Sequence, residues 1–280
     1  MLERIRIYRE TWQYIRSEKR DLNTISQLAC DSRSLRKVTE SEIEAIFRNL
    51  AIDQEWNQIA GTLNRVCNIA DGATGAVNPG DRRALYYLIR GFHAGNVLEI
   101  GTHVGASTLH IAAAMAREKL DRQEIPSLVS VDIEDVNDES QGPWRRFGLD
   151  HSPIAMLHNM DCADFVRFIA QKSLDFLPKE PVQNYDLIFL DGSHAASVVY
   201  QEIPLALRLL AGNGVILLHD FYPRNKPLWS LNRRIIPGPW IATERLRAEG
   251  ARIRVIPLGA LPWPSKLGSN VTSLAVLTKE

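Results

Sequence analysis

Two apolar runs end in ionisable side chains: YDLIFLDGSHAASVV carries Asp191 with His194 three residues later, and GVILLHDFYP closes on His219 and Asp220. Runs of this length suit buried strands, and neighbouring strand ends of a parallel sheet converge on one crevice. Two carboxylates and two imidazoles meeting there can hold a divalent ion or move a proton. Imidazole titrates near neutrality, so a histidine such as His194 here has a pKa suited to a general base. A plainer reading of the same residues is a loop-capping Asp191 and a hydrogen-bonded His219 with no ion between them.

A second constellation lies upstream in VLEIGTHVGAST: a buried strand ending in Glu99, a turn with Gly101 and Gly105, and a helix opening near Ser107 and Thr108. Glycines permit close approach of backbone to a ligand, and the hydroxyls at the helix start can donate to a carboxylate. The Gly-x-x-x-Gly spacing is neither the dinucleotide pattern Gly-x-Gly-x-x-Gly nor a P-loop, which argues against dehydrogenases and NTPases. The next apolar run, LVSVD, ends in Asp132, placed to grip ribose hydroxyls. Packing alone could also explain the two glycines.

These residues need a sheet to bring them together. Apolar runs at Val97, Leu128, Ile154, Leu187 and Val215 read as parallel strands, and RIRVIPL and VTSLAVLT add two edge strands. Ser107 to Leu120, Asp161 to Phe176 and Ala195 to Leu210 are long enough for crossover helices. The expected fold is α/β: a Rossmann-like, doubly wound, seven-stranded, mostly parallel sheet with an N-terminal helical extension. Ile5, Tyr8, Trp12 and Ile15 recur at helical spacing as a packing face, and a capping-box-like Thr39-Glu-Ser-Glu opens a helical segment running to about Ile69. The Gly- and Pro-rich stretch Asp71 to Gly80 marks a junction, dividing a helical region, 1–77, serving oligomerisation or as a lid, from the sheet domain, 78–280.

Composition narrows the partners. Lys plus Arg and Asp plus Glu are 33 each, so no net positive field draws in nucleic acid, and a small-molecule substrate gains weight. The three cysteines show no CxxC spacing and suggest neither disulfides nor a zinc knuckle. No uninterrupted apolar stretch opens the chain, which leads us to expect a soluble, cytoplasmic protein without membrane association. Trp144 and the LPWPSKLGSNV segment with Lys266 and Asn270 could border an acceptor pocket or be ordinary structural corners.

EIGTHVGAST resembles the first motif of the class I S-adenosylmethionine-dependent methyltransferases, and the resemblance runs from about Asn78 onward. It implies that Gly101, Gly105 and Ser107 line the methionine end of the cofactor site, that Glu99, Thr102 and His103 belong to the same site, that Asp132 binds ribose, and that Asp161 contacts adenine. Asp161 could instead cap a helix. The Asp191/His194 and His219/Asp220 pairs resemble those of metal-dependent small-molecule O-methyltransferases of the catechol and macrolide-sugar type. That resemblance implies His194 as base, Asp191 beside both cofactor and metal, and a divalent ion, magnesium first, on Asp191, His219 and Asp220. Where many relatives have a carboxylate, this chain has His219, and magnesium is a hard ion preferring oxygen, so a softer ion or a His219 outside the ligand set are alternatives. The expected activity is O-methylation of a secondary-metabolite or sugar hydroxyl by a homodimer. N- or C-methylation without metal, or cofactor binding without turnover, are the competing readings.

Overall fold

The computed structural model describes residues 2–69, 75–122, 125–230 and 233–280. Its centre is a seven-stranded sheet built from β1 (Asn96–Ile100), β2 (Ser127–Asp132), β3 (Val166–Ala170), β4 (Tyr185–Leu190), β5 (Leu210–Leu218), β6 (Ile253–Pro257) and β7 (Ala275–Lys279). The order is β3-β2-β1-β4-β5-β7-β6. The first five strands are parallel and β7 runs antiparallel to both β5 and β6. The inner strands are continuously apolar because helices cover both faces, so Leu98, Val97, Ile188, Leu187, Ile216 and Leu217 are all fully buried.

α4 (Pro79–Phe92) and α5 (Ala106–Arg122) cover one face, and α9 (Ala196–Leu209) with α10 (Gly238–Ala248) covers the other. The sheet reverses direction of winding between β1 and β4, and the carboxyl ends there open a crevice, the usual ligand position in such sheets.

The third strand differs from the sequence expectation. The run at Ile154 is instead helix α7 (Pro153–His158): Ser152 caps it, its Oγ accepting from Ala155 N at 3.3 Å, and Pro153 supplies the preset first helical turn. Part of the expected crossover helix, Asp161 to Phe176, is in fact β3, followed by the one-turn α8 (Ser173–Phe176). β3 pairs on one side only, and its VRFIA side chains are half-buried or exposed, so it lacks the apolar run that betrays an inner strand. Another single turn, α6 (Pro143–Arg146), interrupts the loop after β2.

The N-terminal segment packs against this sheet domain. α1 (Leu2–Leu22) lies against α9 and α10, with the Arg245 guanidinium donating to the Leu22 and Ile25 carbonyls and Leu28 N donating to Tyr200 Oη. Ile15 is half-buried there, but Trp12 is 47 % exposed beneath the Arg16 guanidinium, 3.8 Å from its ring. The side chains of Ile5 and Tyr8 lie outside the described set. Thr39 caps α2 (Glu40–Phe47) as expected, yet Asn49 breaks the rhythm and starts a separate α3 (Leu50–Cys67), which leaves Leu50 exposed. Residues 71–74 of the Gly-rich junction lie outside the described residues, and Asn78 caps α4. Among the described residues no helix is long and apolar enough to cross a membrane.

Candidate functional site

Glu99 ends β1 fully buried, and its carboxylate collects the turn around itself. Ser107 Oγ donates to Oε1 at 2.5 Å, while Thr108 Oγ1 and Ser130 Oγ donate to Oε2 at 2.5 and 2.6 Å. Burial pushes its pKa up to about 7 against these three donors, with the Asp191 charge adding to the rise. The Ser107 and Thr108 hydroxyls are therefore engaged by the protein's own carboxylate. Thr102 Oγ1 meets Ser130 Oγ at 2.6 Å and ties the turn to β2.

Gly101 sits at φ 101°, and a Cβ there would meet the Asp191 carbonyl oxygen at 2.2 Å; its glycine is demanded by the backbone just after β4 rather than by open space for a ligand. Gly105, at φ 78°, abuts Pro153 in the same way. Asp132 at the end of β2 accepts from His103 N at 2.8 Å through Oδ2, so the ribose candidate also pins the turn.

These elements border a cavity of about 570 Å³, within the span of small-molecule and cofactor sites. Gly101 to His103, Ser107, Asp132, Asp191, His194, His219 and Asp220 all line it. Sequence reasoning missed Ile133, 65 % exposed beside Asp132, and Gln171 and Lys172 at the end of β3. Once the third strand was assigned to the wrong segment, the residues at its carboxyl end could not be found. Asp161, by contrast, is exposed at φ 53° and outside this lining, because the chain after it passes through a short turn into a strand rather than the helix it would have capped.

The four ionisable groups do converge. His219 Nδ1 lies 2.9 Å from Asp191 Oδ1 and 3.7 Å from Asp220 Oδ2, and His194 Nε2 lies 3.5 Å from Asp220 Oδ2. One ligand atom from each of Asp191, His219 and Asp220 falls within 4.8 Å of the others. Burial works against charge on His219, but Asp191 and Asp220 outweigh it and hold its pKa well above the ordinary histidine value. A fifth member came from no sequence signal: fully buried Asp81 of α4, whose Oδ2 is 3.1 Å from His219 Nε2 and accepts from Asn78 Nδ2 at 2.7 Å.

Neighbouring helices fix the loop that carries His194. A Cβ on Gly238, at the start of α10, would be 1.9 Å from the His194 carbonyl oxygen, so only glycine allows that approach. Glu18 of α1 accepts from Ala196 N and supplies the cap that the α9 start lacks in its own sequence. Tyr14, one turn earlier on α1, has its pKa raised by burial, with the charges of Glu18 and Asp220 adding to the rise. Trp144 is buried, with Nε1 donating to the Asp138 carbonyl, and Trp263 Nε1 donates to the Gly80 carbonyl at 2.9 Å. Both serve as structural anchors, whereas Lys266 Nζ stands 4.0 Å over the Trp229 ring.

Residues 98–221 match the model of a protein family described as a methyltransferase domain. No curated protein matches the sequence. Among solved structures, the O-methyltransferase TomG from Streptomyces achromogenes, involved in tomaymycin synthesis and solved with SAM, is similar at 18 % identity and a TM-score of 0.52, over 88 % of this chain and 92 % of that one. An O-methyltransferase from Bacillus cereus solved with SAH is similar at 16 % identity and a TM-score of 0.52, over 96 % and 100 % of the two chains. These two likenesses concern the fold.

Proposed function

From residues 98–221 as a methyltransferase domain on a class I, Rossmann-like sheet, we propose that the chain transfers the methyl group of S-adenosylmethionine to a hydroxyl oxygen of a small molecule. One observation carries this reading: a single cavity is bordered on one side by the Gly101 turn with Asp132 and on the other by His194, Asp191, His219 and Asp220. A nucleotide-type donor and a deprotonating centre thus face the same space.

In this reading Asp132 accepts from the ribose hydroxyls, Ile133 offers the adenine an apolar face, and the Gly101–His103 turn holds the methionine end. Glu99 acts one layer behind, keeping the turn closed. When bound, adenosylmethionine supplies an electrophilic methyl group on its sulfonium. His194, at the cavity wall, removes the acceptor's hydroxyl proton, and Asp220 beside it favours the imidazolium that results. The walls position the two reactants for in-line attack.

The donor set also fits a divalent cation: carboxylate oxygens from Asp191 and Asp220 and one imidazole nitrogen from His219 come together without a Lys or Arg partner among the described residues. Such an ion would orient and acidify the acceptor hydroxyl. We further infer a homodimer in the cytoplasm, which light scattering of the purified chain tests by returning twice the monomer mass.

The deciding experiment incubates the purified protein with methyl-labelled adenosylmethionine and a panel of hydroxylated small molecules, with and without excess chelator. Labelled ether products that vanish in chelator are expected. Absence of adenosylmethionine binding by calorimetry at millimolar concentration would overturn the reading, since cofactor sites of this kind bind at about the micromolar level. Full turnover in chelator would remove the ion from it.

A further inference from the structure

His219 is held from both ends. Its Nδ1 faces Asp191 and Asp220, and its Nε2 faces Asp81, which enters from α4 on the opposite side of the ring. Asp81 is fully buried, its Oδ1 has no hydrogen-bond partner, and among the described residues its ion-pair partner is His219. A capping role alone does not explain a carboxylate here. Asn78 already caps α4 through its own Oδ1, which accepts from Gly80 N and Asp81 N at 3.1 Å each. A fully desolvated carboxylate is costly unless its partners repay it.

The geometry points to Asp81 as a positioning residue. By accepting from His219 Nε2–H it holds the ring with Nδ1 facing Asp191 and Asp220; in the ion-free site Nδ1–H donates to Asp191, and a divalent ion that takes imidazole nitrogen together with carboxylate oxygen would replace that proton. This inference rests on the metal-assisted reading proposed above. Histidine ligands characteristically donate their second ring N–H to a carboxylate in this way. The separations agree: two ligands each about 2.1 Å from one ion lie at most about 4.2 Å apart, and the 2.9 and 3.7 Å distances from Nδ1 fall inside that limit. Magnesium prefers oxygen and near-ideal octahedral geometry, so a nitrogen fixed in the ligand set favours manganese or zinc over it.

Titration calorimetry of the full chain with adenosylhomocysteine present, using manganese, zinc and magnesium chlorides in turn, tests the assignment. Wild type should bind manganese or zinc at least about tenfold more tightly than magnesium. Asp81→Ala should lose about 10- to 100-fold in manganese affinity while keeping its adenosylhomocysteine affinity, and Asp81→Asn, which retains an acceptor oxygen, should recover most of the loss. A merely structural Asp81 would change thermal stability but leave the manganese-to-magnesium ratio untouched, and that result overturns the proposal. If Asp81→Ala does not fold, nitrogen-15 spectra of zinc-loaded wild type decide: Nε2 protonated with Nδ1 bare supports the assignment, and Nδ1 protonated overturns it. Wild type that binds none of the three ions defeats the metal-assisted reading itself, and Asp81 with it.

Discussion

At the scale of single residues, the site separates groups facing the cavity from groups that hold those in place. Asp132→Ala removes the proposed ribose acceptor and also releases His103 N, so adenosylmethionine affinity should fall by about 1–3 kcal/mol, roughly 5- to 150-fold, by calorimetry. Gly101 would be a poor probe of the same pocket, since any side chain there collides first with the Asp191 backbone. His194→Ala should lower kcat by about 10²- to 10⁴-fold with donor affinity little changed, and a variant at wild-type turnover would move the base elsewhere. Glu202 on α9 tests the electrostatics away from the chemistry: burial raises its pKa to about 7, with Ser173 donating at 2.5 Å as the lesser, opposing effect. A carboxyl raised in the fold contributes stability below its unfolded value near 4.5, and that contribution disappears as pH climbs through about 7. Glu202→Gln should therefore melt higher than wild type at pH 8, by on the order of 1–3 kcal/mol, with the gap closing by pH 5. The ionisable residues that line the cavity were legible because they sit at the ends of apolar runs. Asp81 was not, since nothing local distinguishes a buried helical Asp from a helix-start Asp on the surface.

Among elements, the inner strands declared themselves through unbroken apolar runs, and β1, β2, β4 and β5 lie where the sequence puts them. β3 stayed hidden because an edge strand buries only part of one face, and Ser152-Pro153 gave the neighbouring apolar run a helix start instead. With β3 misplaced, the sequence offers Asp161, which lies outside the cavity lining, while Gln171 and Lys172 at the end of β3 border it. Contacts between elements are invisible in any linear pattern, and two of them set the His194 loop. Gly238→Ala must push α10 or residues 194–196 aside, and a displacement of about 1 Å at a catalytic group costs on the order of 10²-fold in turnover. Donor affinity should survive that change, so a parallel loss of adenosylhomocysteine binding would refute a purely local effect. Glu18→Ala removes the α9 cap and should cost about 1 kcal/mol in denaturant unfolding.

Seen as a whole molecule, the chain puts its helical N-terminal segment to structural use within the same subunit. Deleting residues 1–35 would take from Arg245 the Leu22 and Ile25 carbonyls and from Tyr200 the Leu28 N–H, and uncover the apolar seam between α9 and α10, so the shortened chain should aggregate or lose turnover; a soluble, fully active product would contradict that role. The sheet order carries a consequence for biosynthesis. β7 is threaded between β5 and β6 although it is translated after both, and Val276 and Leu277 are fully enclosed. While a ribosome is still making residues 219–274, the β5 edge and the apolar face beneath it have no mate, an invitation to intermolecular pairing that chaperones would have to cover. Nonsense or frameshift alleles falling just before β7 should accordingly yield inclusion bodies rather than a slightly shortened soluble chain, however intact the turn after β1.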